Sequence, residues 1–248
     1  KEVKPSLMTV VPRLLDKIYA KMHANAAAAK GIKWLIAKLA FYVADTKCVN
    51  KKFSFVDKIF KRLVYQKLLD ALGGKMEFII SGGAPLSLTT ERFFSNIGLR
   101  IYQGYGLSET SPVISVNGPR AYKFGTTGKN LPHVEVKLGD DGELLVRGPN
   151  VMKGYHNQVE KTAQTIQNGW LSTGDLAEID SEGFISIKSR KKELFKTSTG
   201  KYVAAIPIEL ALTQSKWIDY AVLVADNRPF VTALIFIDPL LAQSYAEQ

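Results

Sequence analysis

The 248-residue sequence is short of several things that define whole classes of protein. Cys48 is its only cysteine, so an intrachain disulfide and any cysteine-rich metal site are excluded. A lone cysteine fits a reducing compartment. No apolar run nears the roughly 18 residues that a membrane-spanning helix needs. The longest stretch, Val231 to Leu241, is broken by Asp238 and Pro239. The opening Lys1–Pro5 is not followed by the apolar core and cleavage site of a signal peptide, so none is expected. Glycine, proline and acidic residues are all scarce early. Gly31 is the only glycine before Gly73, and Pro5 and Pro12 are the only prolines before Pro85. A chain this size with 46% hydrophobic and 23% charged residues is ordinary globular material, which excludes disordered, collagenous and disulfide-scaffold classes.

The acid deficit is local. Residues 1–75 hold 16 Lys/Arg against 5 Asp/Glu, a net of +11, while the whole chain carries +10. A basic stretch of this kind serves nucleic acid, an anionic membrane surface or polyphosphate ligands, or is simply a solvated helical face.

Patterning divides the chain. Pro12 opens a helix on which Leu14, Leu15, Ile18 and Met22 recur at helical spacing, and Gly31 can end it. Further helices are expected over about 33–44 and 55–72, the last stopped by Gly73-Gly74. Met76 to Ile80 reads as a buried strand, Leu88 to Asn96 as a helix and Leu99 to Tyr102 as a strand, which suggests a parallel α/β unit. From Gly118 onward short alternating segments, Val134–Leu138 and Glu143–Arg147, flank the hairpin signal Asp140-Asp141-Gly142. A small antiparallel barrel or sandwich is expected over 120–188. A helix over Ala205–Thr213 and strands over Tyr220–Ala225 and Val231–Ile237 then open another α/β unit.

Four segments carry candidate chemistry. Ser81-Gly82-Gly83-Ala84-Pro85-Leu86 joins a strand to a helix and lets backbone approach a flat or anionic ligand, although a plain turn has the same letters. Gln103-Gly104-Tyr105-Gly106-Leu107-Ser108-Glu109-Thr110 sits at the carboxyl end of a strand, where open α/β sheets bind ligands. Tyr105 between glycines offers a stacking face, Ser108 a hydroxyl, and Glu109 a hard oxygen for Mg²⁺; a capped turn in solvent is the alternative. Gly169–Asp175 ends in an acceptor-only side chain at an expected tight turn, suited to gripping two ribose hydroxyls or to closing the turn. Arg190-Lys191-Lys192-Glu193 reads as a cationic run at a domain boundary, for phosphate or ribose contact, for a hinge, or as an exposed linker.

Together and in this order, the segments resemble the AMP-forming acyl-CoA synthetases of the adenylate-forming superfamily, and within it the long-chain fatty-acid branch. The likeness runs along nearly the whole chain, through Val11–Tyr19, Ser81–Leu86, Tyr105–Val113, Leu144–Tyr155, Trp170–Asp175 and Ser189–Tyr202. The resemblance implies an α/β fold in three parts: a helical plus α/β portion of the large nucleotide-binding domain over 1–120, a small β-barrel over 121–190, and the first half of a mobile α+β C-terminal domain over 191–248. It implies that ATP and a fatty acid form an acyl-adenylate and pyrophosphate, and that CoA then yields the thioester and AMP. Gly82, Gly83, Ala84 and Pro85 would line one side of adenine, with Gln103, Gly104, Tyr105 and Gly106 on the other. Ser108 would contact phosphate, Glu109 would hold Mg²⁺, and Asp175 with Arg190 would hold the ribose. Lys192 matches the hinge about which the C-terminal domain swings. Glu109, Arg190 and Lys192 are the catalytic candidates. Fatty acid, ATP or AMP and CoA are the implied partners, in a cytoplasmic setting; an anionic membrane surface stays open as a peripheral partner. No DNA- or RNA-binding motif is present, so nucleic acid is not expected.

The match has departures. Ser189 stands before Arg190 where Gly or Asp is usual, and Thr199 and His133 each replace a frequent Gly. The family's phosphate loop is expected upstream of Lys1, since Gly125-Thr126-Thr127-Gly128 resembles it by letters only, and the catalytic lysine is expected beyond Gln248. The chain therefore reads as an internal portion with little or no ligase activity alone and an exposed apolar edge in its tail. Two other readings stay open: activation of a different acid or transfer to acyl carrier protein, and a basic surface-binding module.

Overall fold

The computed structural model describes residues 3–49, 55–215, 217–226, 228–237, 239 and 243. Two compact units emerge, Lys1–Pro132 and His133–Gln248.

The first unit opens with β1 (Leu7–Val10), an edge strand that the sequence pattern does not announce. Pro12 then occupies the first turn of α1 (Pro12–Ala27), where a missing N–H costs nothing. α2 (Ile32–Thr46) follows Gly31. The expected third helix is three pieces in one path: α3 (Phe55–Phe60), a π-helical turn over Lys61–Tyr65, and α4 (Gln66–Ala71). β2 (Phe78–Ser81), α5 (Leu88–Ile97) and β3 (Arg100–Gly106) form the parallel unit that the periodicity predicts. β4 (Val113–Val116) and β5 (Lys129–Asn130) complete a five-stranded sheet in chain order, parallel from β1 to β3 and antiparallel from β3 to β5.

Aromatic packing centres this unit. Phe93 is fully buried, with its ring 5.1 Å from Tyr19, 5.2 Å from Phe41, 5.3 Å from His23 and 5.6 Å from Phe94. Polar side chains close the helix ends. Asn96 Nδ2 donates to the carbonyls of Ala44 (2.8 Å) and Lys47 (2.9 Å), satisfying orphan acceptors at the end of α2. Tyr65 Oη donates to Ala40 O at 2.7 Å. Thr90 Oγ1 donates to Asp16 Oδ1 at 2.5 Å and ties α5 to α1.

Glu91, fully buried on α5, fixes the strand beside it. It accepts from Gln103 Nε2 (2.7 Å), Tyr122 Oη (3.1 Å) and Gly125 N–H (3.2 Å). One carboxylate thus joins a helix, a strand and a loop.

The second unit contains β6 (Glu135–Leu138) and β7 (Glu143–Arg147), the expected hairpin, then α6 (Val159–Thr165), β8 (Ile166–Gln167), β9 (Trp170–Ile179) and β10 (Ile185–Arg190). The strands are antiparallel as the alternation predicts. They form an open sheet ordered β10-β9-β7-β6, with β8 on β9, rather than a closed barrel. His133 adopts φ +65°, the left-handed conformation a glycine at this position would take freely. Two ribbons follow: β11 (Leu194–Lys196) with β12 (Tyr202–Ala204), then β13 (Ile218–Val224) with β14 (Thr232–Ile237) after α7 (Ala205–Leu212). Every residue of β14 is exposed, including Leu234, Ile235, Phe236 and Ile237, which is the apolar edge expected of the tail. Among the described residues no helix is long and apolar enough to cross a membrane.

Two outcomes are expected. Phe93→Ala should cost about 3–5 kcal/mol in urea unfolding, against roughly 0.5 kcal/mol or less for half-exposed Leu39→Ala. Equal losses would show that the aromatic cluster is not the core. Burial also pushes Glu91 up to about 7 from its ordinary 4.5, outweighing the donors that lower it. A carboxyl whose folded pKa is raised favours folding most below about 4.5, and that contribution fades as pH rises towards about 7. Unfolding midpoints should therefore fall over that window, and Glu91→Gln should flatten the fall; an unchanged slope in the variant would assign it to other groups.

Candidate functional site

The turn Gly82–Pro85 joins β2 to α5, as predicted. It lies against β3: a Cβ built on Gly82 would come 3.3 Å from Gly104 O, so a larger residue would press on the strand. Ser81 Oγ, just before the turn, is buried without a hydrogen-bond partner among the described residues.

Gln103–Gly106 lies at the carboxyl end of a strand, as expected: it is the second half of β3, paired with β4 from Gly104↔Val116 to Gly106↔Val113 through a bulge. Close packing explains the second glycine. A Cβ on Gly106 would lie 1.8 Å from Pro112 O, so only a hydrogen fits where the chain folds back. Leu107 N–H bonds Pro112 O at 2.9 Å across that fold. Thr110 is buried and pins the next turn: its hydroxyl accepts from Leu107 N–H (3.0 Å) and reaches Pro112 O (2.7 Å). The short 3₁₀ turn Ser108–Thr110 thereby carries exposed Ser108 and half-buried Glu109 on a fixed base.

Gln103 also has a task inside the fold. Its side chain is buried and committed to Glu91, and its carbonyl accepts from Asn117 N–H at 2.8 Å. It holds β3 in place.

The second unit brings Asp175 and Arg190 together. They are cross-strand partners on β9 and β10, with Arg190 Nε 3.2 Å from Asp175 Oδ1. The Asp175 side chain is 4% exposed and that of Arg190 57%, so the carboxylate is the anchored end. Asp175 does not close a tight turn. It lies inside β9, on a bulge where Leu176 faces Glu143 and Ser172 faces Leu145, leaving Thr173, Gly174 and Asp175 opposite Leu144 alone. Gly174 takes φ +75° there. Bulges of this kind re-aim side chains and are common beside functional sites. Side chains rescue the displaced N–H groups: Gly174 N–H bonds Glu143 Oε1 at 2.8 Å, and Asp175 N–H bonds Thr173 Oγ1 at 3.1 Å.

Arg190 ends β10, and Lys191–Glu193 forms a 3₁₀ turn with Lys192 exposed on it. Lys191 Nζ lies 2.5 Å from Asp141 Oδ2 and 3.1 Å from Glu143 Oε2. The first of these contacts, with the Glu143 N–H on Asp141 Oδ1, holds the Asp141 carboxyl below its ordinary range. Glu91 and Glu143 are the residues that sequence reasoning missed. Glu143 has the letters of an alternating strand, and Glu91 those of a polar helix position; partners distant in sequence give each its role.

Among the described residues no three His, Cys, Asp or Glu side chains gather as a metal site. A lone carboxylate such as Glu109 suits a hard cation that brings phosphate and water oxygens with it.

The family described as AMP-binding enzyme matches residues 1–156. The chain is 41% identical over 241 residues to the long-chain-fatty-acid–CoA ligase FadD15 of Mycobacterium bovis, covering 95% of this chain and 40% of that protein. It is 34% identical over 262 residues to the putative fatty-acid–CoA ligase fadD11 of Mycobacterium tuberculosis, covering all of this chain and 45% of that one. The chain thus spans about two fifths of the length of these curated relatives. Among solved structures, O-succinylbenzoate CoA synthetase (MenE) from Bacillus subtilis, in complex with ATP and magnesium, superposes with TM-score 0.60 at 27% identity, over 79% of this chain and 48% of that one. The adenylation domain of a carboxylate reductase from Mycobacterium chelonae shares the fold, with TM-score 0.75 at 20% identity over 99% of this chain and 36% of that one. With its mixed α/β fold, its glycine turn against β3 and a family match over well more than half its length, the chain belongs to the AMP-binding enzymes.

Proposed function

We propose that this chain is part of an ATP-dependent long-chain fatty-acid–CoA ligase. The 241-residue likeness to FadD15 carries the reading. In it, residues 1–120 belong to the large nucleotide-binding domain and 191–248 to a mobile C-terminal domain. ATP and a fatty acid give acyl-adenylate and pyrophosphate, and the CoA thiol then displaces AMP.

The residues fit these tasks. Gly82–Pro85 and Gly104–Gly106 offer backbone and the Tyr105 ring to adenine, while Gln103 contributes through the strand it anchors. Ser108 faces the phosphates, and Glu109 holds Mg²⁺, whose charge offsets that of the phosphates. Asp175, fixed on its bulge, accepts from the ribose hydroxyls, and exposed Arg190 stands beside it. Lys192, on the turn after β10, is the hinge. Adenylation by such a site relies on positioning and charge stabilisation, with no protein nucleophile.

A peripheral membrane surface belongs to the same proposal. α2 turns Ile32, Leu35, Leu39 and Tyr42 outward on one stripe, with exposed Lys30, Lys33 and Lys38 around it. Two acids of this helical layer are engaged within it: Asp45 accepts from Tyr19 Oη at 3.2 Å with His23 Nε2 at 3.5 Å, and Asp57 pairs with Lys47. Cations beside an apolar stripe suit an anionic lipid surface, where a water-poor substrate is also stored.

Two experiments on the protein at full natural length test the reading. ATP–pyrophosphate exchange should require a fatty acid, and Glu109→Ala should lower it by about a hundredfold or more. Exchange that ignores chain length, or survives the substitution, would reject the assignment. Flotation should carry the protein with anionic vesicles at low salt, less so at high salt, and much less after Leu35→Ser with Leu39→Ser. Equal recovery with neutral vesicles would remove the membrane partner.

A further inference from the structure

Glu143 touches both sides of the Asp175–Arg190 pair without belonging to it. Oε1 accepts the N–H of Gly174, one residue before Asp175, at 2.8 Å. Oε2 accepts from Nζ of Lys191, one residue after Arg190, at 3.1 Å. The carboxylate is itself buried, its side chain 12% exposed, at the start of β7. Its own N–H bonds Asp141 Oδ1 at 3.1 Å, and Asp141 Oδ2 takes the other contact of Lys191. A closed circuit results: β7 turn, Glu143, the bulge of β9, Asp175, Arg190, Lys191, and back to the β7 turn.

The physical need for this circuit lies in the bulge. Three residues of β9 stand opposite one of β7, so the ladder cannot satisfy the N–H of Gly174. An interior N–H without an acceptor is costly, and the segment would rearrange to find one. Rearrangement at Gly174 would swing Asp175, since the two are adjacent. The charge on Glu143 also draws Lys191 in, which fixes the start of the turn that carries Lys192.

We propose that Glu143 is a positioning residue for nucleotide binding, acting through Asp175 by clamping the bulge and through Lys191 by fixing the turn after Arg190. The proposal rests on the reading of Asp175 as the ribose-binding carboxylate. It adds a residue that never meets the nucleotide and yet sets its affinity.

A double-mutant cycle on the protein at full natural length, read as AMP affinity by calorimetry, tests this. Asp175→Ala and Glu143→Ala should each weaken AMP by roughly tenfold. The double variant should bind no more weakly than Asp175→Ala alone, because Glu143 has nothing left to position. A purely structural loss would lower the unfolding midpoint and add to the Asp175 effect. If Glu143→Ala does not fold, Glu143→Gln decides: its amide oxygen still accepts from Gly174 while its NH₂ cannot serve Lys191, so a loss of about threefold, matched by Lys191→Met, is expected. Additive losses, or a Glu143 variant with unchanged affinity beside a weakened Asp175→Ala, would overturn the positioning role alone. An unchanged Asp175→Ala would sink the ribose reading, and the positioning role with it.

Discussion

Interior N–H groups that no strand ladder serves must find another acceptor, and this protein answers that constraint with buried carboxylates. Glu91 does so in the first unit, taking Gly125 N–H together with the amide of Gln103 and the hydroxyl of Tyr122. Glu143 does so in the second, taking Gly174 N–H and the ammonium of Lys191. Each acid is deeply buried, and each gathers three pieces of chain that regular secondary structure would not join. The candidate binding segments are the pieces gathered. β3 is held by its own Gln103, and the Asp175 bulge by the carboxylate across the ladder.

Such an arrangement separates holding from binding. Thr110, Gln103, Glu91 and Glu143 spend their polar atoms inside the protein. Their neighbours Ser108, Glu109 and Arg190 keep side chains at or near solvent. Irregular backbone is what brings the two kinds into adjacent positions. The fold-back at Pro112 forces Gly106 and aims the Ser108–Thr110 turn, and the bulge in β9 aims Asp175 at Arg190. Regular strands would alternate these side chains mechanically and leave no such choice.

Charge is distributed with a similar division. The helical layer of the first unit engages Asp45 and Asp57 and turns lysines outward beside the apolar stripe of α2. The sheet of the second unit spends its charges on cross-strand ties, with Arg147 to Glu135, Lys188 to Glu178 and Lys191 to Asp141. Exposed Lys30, Lys33 and Lys38 thus place part of the basic excess of residues 1–75 on the surface of that layer.

Much was legible from letters alone. Helical spacing gives α1, because burying one face imposes a 3.6-residue period, and the local sequence between its glycine and proline signals gives α2, α5 and α7. Alternation gives the β6–β7 hairpin, and glycine with proline marks the turn before α5. The order of short segments gives the family. β1, β5 and β8 are too short to show a period, and β9 disguises itself by holding Gly174 at a bulge where a turn is the simpler reading. What the sequence by itself determined is which residue types are on hand, and the local periods that sort them into helices and strands. Only the tertiary structure decided that Gln103 faces inward, that Glu91 and Glu143 are clamps, and that Asp175 meets Arg190. Those outcomes depend on hydrogen bonds and ion pairs between residues 12 to 48 positions apart, which no local pattern encodes.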